Sequence, residues 1–224
     1  MTVRNSLERA AGFILDLLYP ETAVCRGCGH ISDEGCLCAA CRKELRETGL
    51  ASTWEWREVN GVSVYSLRPH EGLARKLVIR LKHQAEACLA EELMSLLQPV
   101  PGFLHFSPDT VITWVTMPES RLRTRYIDHG RLLAEAAGRQ LNLPVQRLLD
   151  RKDQPGKTQA RLGRQERERN LKDVFSPAGR ICFPVLLVDD VLTTGATISR
   201  CTEALRSGGA AEVTALTITY ALGE

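Results

Sequence analysis

VLLVDDVLTTGATI, residues 185–198, is the stretch whose reading decides the fold. Four apolar residues run into an adjacent acid pair, Asp189 and Asp190. Two more apolar residues follow, then Thr193, Thr194, Gly195, Ala196 and Thr197. A short Val/Leu run bounded by turn residues suits a strand buried on both faces, and such strands belong to parallel sheets covered by helices. Polar groups are expected where the strand emerges at its carboxyl end. The Thr/Gly loop then opens a helix over 198–207. Hydroxyls and backbone N–H groups at a helix start make an anion site.

The remaining segments repeat this strand–loop–helix order. Residues 110–117, TVITWVTM, read as a second buried strand ending at Pro118. An arginine-rich loop follows with Arg121, Arg123 and Arg125, then a helix over 130–141. Guanidinium groups after a buried strand are suited to pyrophosphate. Residues 145–149 form a short strand candidate, and 213–222 a last strand after the Gly208-Gly209 stop. Upstream, residues 53–68 alternate and turn at Asn60-Gly61, as a hairpin does. Residues 71–97 read as one helix with leucines along a face and a basic side that includes Lys76, Arg80 and Lys82. Lys82 is a phosphate candidate, with a solvated lysine as the simpler reading. Residues 151–170 are polar and basic. Inside an α/β domain such a segment is either a disordered connection or a mobile cover over a site. Residues 3–18 have the spacing of an amphipathic docking helix.

Five of the eight cysteines fall within 25–41. Cys25-x2-Cys28 and Cys38-x2-Cys41 are two hooks that each present two thiolates, and together they complete a tetrahedral shell for structural zinc. Cys36 is a possible substitute for Cys38, and His30 is a further ligand candidate; an iron–sulfur site or a reactive thiol pair are the other readings. A module this short has little other means of folding.

Composition restricts the setting. The 224 residues carry a net charge of +2, so bulk charge makes no case for nucleic acid, although basic residues cluster at 121–131 and 151–172. No run reaches membrane-spanning length. The cysteines do not form a secreted disulfide pattern, and no signal peptide is evident, so a reducing, cytoplasmic home is expected.

From Val185 to Thr197 the chain resembles, residue by residue, the signature of type I phosphoribosyltransferases. That resemblance implies that Asp189 and Asp190 hold ribose hydroxyls of phosphoribosyl pyrophosphate and that Thr193, Thr194, Gly195, Ala196 and Thr197 wrap its 5′-phosphate. Further blocks are similar to the ComF/GntX-like branch, which is tied by name to competence and DNA use. They are CRGC…CAAC, ARKLVIRLKHQ, MPESRLRTRYIDHGRLLAEA and KTQARLGRQERERNLKDVF. Tyr126 stands where that branch has a glycine. The implied architecture is a type I phosphoribosyltransferase-like α/β domain, a parallel sheet flanked by helices, over 51–224, with 151–172 as its mobile basic loop. A four-cysteine zinc module with its helix precedes it over 1–50. Two functions follow as expectations. One is a magnesium-assisted phosphoribosyltransferase with an unknown acceptor, Asp189 and Asp190 being catalytic and Arg121, Arg123, Arg125 and Lys82 candidate pyrophosphate ligands. The other is a non-catalytic factor that binds single-stranded DNA or a DNA-processing protein.

Overall fold

The computed structural model describes residues 24–32, 34–47, 54–84, 86–100, 102, 104–125, 127–152 and 174–221. The helix expected at 3–18, most of the basic segment after 151, and Tyr126 lie outside them.

Seven strands and six α-helices are described. In chain order they are α1 (Ala39–Glu47), β1 (Glu55–Glu58), β2 (Ser63–Pro69), α2 (Gly72–Gln84), α3 (Ala87–Met94), β3 (Val111–Trp114), α4 (Glu119–Arg125), α5 (His129–Leu141), β4 (Leu149–Arg151), β5 (Phe175–Pro177), β6 (Val185–Leu192), α6 (Ala196–Ser207) and β7 (Val213–Tyr220). Five strands form one sheet in the order β1-β2-β7-β6-β3. All its pairings are parallel except the β1–β2 edge. The α/β class with a parallel sheet flanked by helices is therefore observed. β4 and β5 make a separate antiparallel pair. Residue 145 adds only an isolated parallel bridge to Ile112, so the strand expected at 145–149 is displaced to β4.

β6 is an interior strand of this sheet, and its side chains are apolar on both faces. Leu186 and Val188 join the core built with α2, α3 and α5, whereas Val185 and Leu187 join the core beneath α6 and β4. This alternation is the period-two geometry of a strand. The hairpin turns as expected: Asn60 (φ 49°) and Gly61 (φ 73°) occupy left-handed backbone, and Val59 and Val62 exchange backbone hydrogen bonds of 2.9 and 3.1 Å.

The single helix expected over 71–97 is instead α2, α3 and a 3-10 turn at Ser95–Leu97. The leucine spacing persists across the break because both helices press on one core. The strand expected at 110–117 is four residues long, and the arginine-rich loop is helical as α4. The strand through the acid pair does not stop there but runs on to Leu192. The 25–41 module is not set apart: Cys25, Leu37, Cys41 and Leu45 are buried in the same core as Leu73, Leu77 and Leu186.

Candidate functional site

Period two carries from the apolar part of β6 into its acids. Asp190 follows the Leu186/Val188 face toward α2 and α5, and Asp189 follows the other face toward α6 and β4. The two carboxylates thus meet different neighbours.

Asp190 is buried, at 6% exposure. Its Oδ1 lies 3.0 Å from Lys82 Nζ on α2, and its Oδ2 lies 3.0 Å from His129 Nε2 at the start of α5. Burial pushes this carboxyl up, but the hydrogen bond from His129 and the Lys82 charge outweigh it and hold the group below the usual carboxylate range. Lys82 is therefore not the solvated lysine of the simpler reading. The neighbouring strand reaches the same place: Thr219 Oγ1 donates to the Asp190 carbonyl oxygen (3.3 Å) and sits 2.8 Å from His70 Nδ1.

Asp189 has a different environment. Its Oδ1 accepts the Asp190 backbone N–H at 2.9 Å. Desolvation, and then the adjacent Asp190 charge, raise its carboxyl from 3.8 to about 7. The two adjacent acids are thus driven in opposite directions by their surroundings.

The loop that follows is built for close approach. Gly195 caps α6 with φ 76°, and a Cβ there would stand 2.4 Å from a Val59 methyl. Glycine is needed on both counts. Thr193, Thr194, Ala196 and Thr197 are exposed around it. Thr194 Oγ1 accepts the Ala196 N–H at 3.4 Å, and Asn60 Nδ2 donates to Ser199 Oγ at 2.9 Å. The hairpin turn thus seats the loop.

The arginine candidates divide. Arg123 is exposed and pairs with Glu119 at 2.9 Å, one helical turn away. Arg121 is exposed on α4, and Arg125 closes that helix. Asp128 caps α5, its Oδ1 accepting from Gly130 N (3.0 Å) and Arg131 N (3.4 Å) while Oδ2 accepts from Trp114 Nε1 (2.9 Å). Beside it lies a cavity of about 760 Å³, lined by Trp114, Thr116, Leu122, Arg131 and Gln146 among others. Sequence reasoning did not foresee the contact of His129 with Asp190 or this cavity; His129 entered only as the end of the arginine-rich segment.

The second candidate centre is the cysteine cluster. The Sγ atoms of Cys25, Cys28, Cys38 and Cys41 all lie within 4.8 Å of one another. Tetrahedral Zn–S bonds would place sulfurs about 3.8 Å apart, and Cys28 Sγ and Cys38 Sγ stand at 3.8 Å. Backbone N–H groups point at two of the sulfurs: Cys38 N to Cys25 Sγ (3.2 Å) and Cys41 N to Cys38 Sγ (3.5 Å). Burial raises the Cys25 thiol, yet the backbone donors of Cys38, Cys28 and Gly27 bring it down to about 6. The donor set fits one zinc ion. Cys38, not Cys36, completes it, and His30 is exposed outside it. Gly27 is required by packing, since a Cβ would stand 2.8 Å from Cys41 Sγ.

Residues 128–222 match the phosphoribosyl transferase domain family. They contain the acid pair, the Thr/Gly loop and His129. The chain is also 25% identical over 212 residues to Competence protein F of Haemophilus influenzae, covering 84% of this chain and 92% of that one. The four-cysteine cluster stands ahead of the matched domain. Residues 128–222 are thus a phosphoribosyl transferase domain, in a chain similar to Competence protein F. Among solved structures, it is similar to glutamine phosphoribosylpyrophosphate amidotransferase from B. subtilis: 20% identity, TM-score 0.40, 61% of this chain and 26% of that one. The ComF-like chain thus spans about a quarter of that enzyme's length. It is also similar to adenine phosphoribosyltransferase from Leishmania donovani: 15% identity, TM-score 0.40, 74% of this chain and 75% of that one. Among the described residues of the ComF-like chain, no helix is long and apolar enough to cross a membrane.

Proposed function

We propose that the chain binds phosphoribosyl pyrophosphate, or a closely related sugar phosphate, across the carboxyl end of β6. The observation that carries this reading is the turn from Asp189 to Thr197. One partly open acid with a raised pKa is followed by a glycine in left-handed backbone, flanked by exposed Thr193 and Thr194 before it and exposed Ala196 and Thr197 at the start of a twelve-residue helix. The 5′-phosphate takes the loop N–H groups and threonine hydroxyls, where the helix dipole favours an anion. Asp189 accepts from a ribose hydroxyl. Asp190, held ionised by Lys82 and His129, adds negative potential that favours positive charge developing on the sugar. Magnesium accompanying the donor supplies charge neutralisation at the pyrophosphate. Transfer of the phosphoribosyl group to an acceptor is the reaction this arrangement supports.

The test is calorimetric titration of phosphoribosyl pyrophosphate with magnesium into the wild type, Asp189→Asn and Thr197→Val. A loss of about tenfold in each variant is expected for one removed hydrogen bond to a charged or developing group. Unchanged affinity in both variants contradicts the assignment. Pyrophosphate release during a screen of nucleobase acceptors then separates transfer from binding alone. The DNA or competence role suggested by the name of the Haemophilus relative is addressed by titrating single-stranded DNA at two salt concentrations. Affinity independent of salt would exclude contact through the basic segments.

A further inference from the structure

Four cysteines stand outside the four-cysteine cluster: Cys36, Cys88, Cys182 and Cys201. Cys201 is fully buried on α6, where a thiol packs as a small hydrophobe, and Cys182 is exposed. Cys36 and Cys88 differ from both, because their thiols share a hydrogen bond. They reach it from separate elements. Cys36 is half-buried in the segment between the two hooks, against the core that holds Cys25 and Cys41. Cys88 is exposed in the first turn of α3.

Arg26 binds the two sides together. Its backbone N–H donates to the Cys36 carbonyl oxygen at 2.8 Å, and its guanidinium Nε lies 2.5 Å from Glu86 Oε2. The same Oε2 accepts the Cys88 S–H at 3.9 Å, while Arg80 Nη2 lies 3.3 Å from Oε1. A second bridge, from Arg42 to Glu92 on α3 at 2.6 Å, holds the hooks to the same helix. Packing and ion pairs therefore keep the two thiols in contact. Cys88 has the features of the reacting member. It is open to solvent, it stands at a helix start where the dipole favours an anion, and Glu86 is at hand to take its proton. The hydrogen bond from Cys36 lowers its pKa, partial desolvation and the Glu86 charge oppose this, and the Arg26 charge adds to it, leaving the thiol below its ordinary value.

We propose that Cys36 and Cys88 are a hydroperoxide-responsive disulfide pair, separate from the metal ligands, that ties the hooks to α3. The proposal is independent of the sugar-phosphate reading. The Cys88 thiolate attacks one peroxide oxygen, the O–O bond breaks, and the released hydroxide leaves as water with the proton that Cys88 gave up. Cys36 then attacks the sulfenic sulfur of Cys88. The S–S bond forms, the S–O bond breaks, and the departing hydroxide takes the Cys36 proton as a second water. Two thiols lose two electrons, and one hydrogen peroxide becomes two waters. Thiols already in contact close to the ~2.05 Å of a disulfide with little movement. With zinc bound, the four cluster sulfurs are engaged by the ion, and the Cys36–Cys88 pair is the one left to the oxidant.

The test treats the zinc-loaded full chain with hydrogen peroxide and maps its peptides by mass spectrometry without reductant. The expected product is one peptide pair joined through Cys36 and Cys88, lighter by two hydrogens, with the zinc retained and the bond reversed by dithiothreitol. Because the bond restricts the unfolded chain, the thermal midpoint of the oxidised protein is expected to rise by about 5 °C or more. In Cys36→Ser the reaction is expected to stop at a Cys88 sulfenic acid, which dimedone traps; in Cys88→Ser, Cys36 is expected to stay reduced. Oxidation of the cluster cysteines in step with zinc release, while Cys36 and Cys88 remain thiols, would overturn the proposal. A midpoint that falls on oxidation would overturn it too, since a bond that strains the fold is not a prepared one.

Discussion

Adjacent residues on a strand face opposite ways, and the acid pair is governed by that fact. Asp190 turns into a cage of Lys82 and His129, while Asp189 turns toward α6 and β4, and their pKa values move in opposite directions. For Asp189 the folded pKa, about 7, lies above the ordinary value of 3.8. Between those values the folded chain holds a proton that the unfolded chain releases, so this group's contribution to stability falls as pH rises through the window. Asp190, depressed in the fold, has the reverse sign and loses its contribution as pH falls. Asp189→Asn removes the first slope. Its thermal midpoint is expected to gain on wild type from pH 4 to pH 8, and a constant difference across that range would contradict the raised pKa. The acids and the loop after them were legible in the sequence because their chemistry is local. The cage was not: Lys82 and His129 come from α2 and α5, and only folding brings them to β6. The surroundings of Arg151 were hidden for a related reason, since its stack on Phe175 and its bond to the Thr116 carbonyl come from β5 and the segment after β3.

The loop at 193–197 depends on an element far from it in sequence. The hairpin turn between β1 and β2 presses Val59 against Gly195 and donates from Asn60 to Ser199. Gly195→Ala forces both a left-handed alanine and a clash, so a loss of about 1–3 kcal/mol is expected in urea unfolding. Val59→Ala in the same chain relieves the clash but not the backbone strain. The double-mutant cycle should therefore return a favourable coupling of about 1 kcal/mol. Strict additivity would mean that the hairpin does not support the loop. Strand and hairpin identities were readable from alternation and from Asn60-Gly61. The break between α2 and α3 was not, because Leu81, Leu89 and Leu93 keep a helical spacing on both sides of it. Periodicity reports which face is buried, and one core serves both helices.

Across the whole molecule, the cysteine hooks and the sheet share their apolar interior. Leu37 and Leu45 lie in one cluster with Leu77, Val188 and Ile218, and Arg42 locks the hooks to α3 through Glu92 at 2.6 Å. The chain is therefore expected to lose metal and sheet structure in one cooperative transition. Circular dichroism and a colorimetric zinc indicator should give the same urea midpoint; two separated midpoints would establish an independent module. Cys41→Ser should abolish bound zinc and cost about 3 kcal/mol or more, whereas Cys36→Ser should retain about one ion per chain. The paired spacing made the four-cysteine cluster readable in advance, but the burial of Cys25 and Cys41 beneath a helix that comes later was not. That burial has a consequence for synthesis. The hooks leave the ribosome before the residues that will enclose them, which run from Leu73 to Ile218. Until then the four thiols are open to oxidants, and a growing chain that captures its ion early carries them in protected form until the last strand arrives.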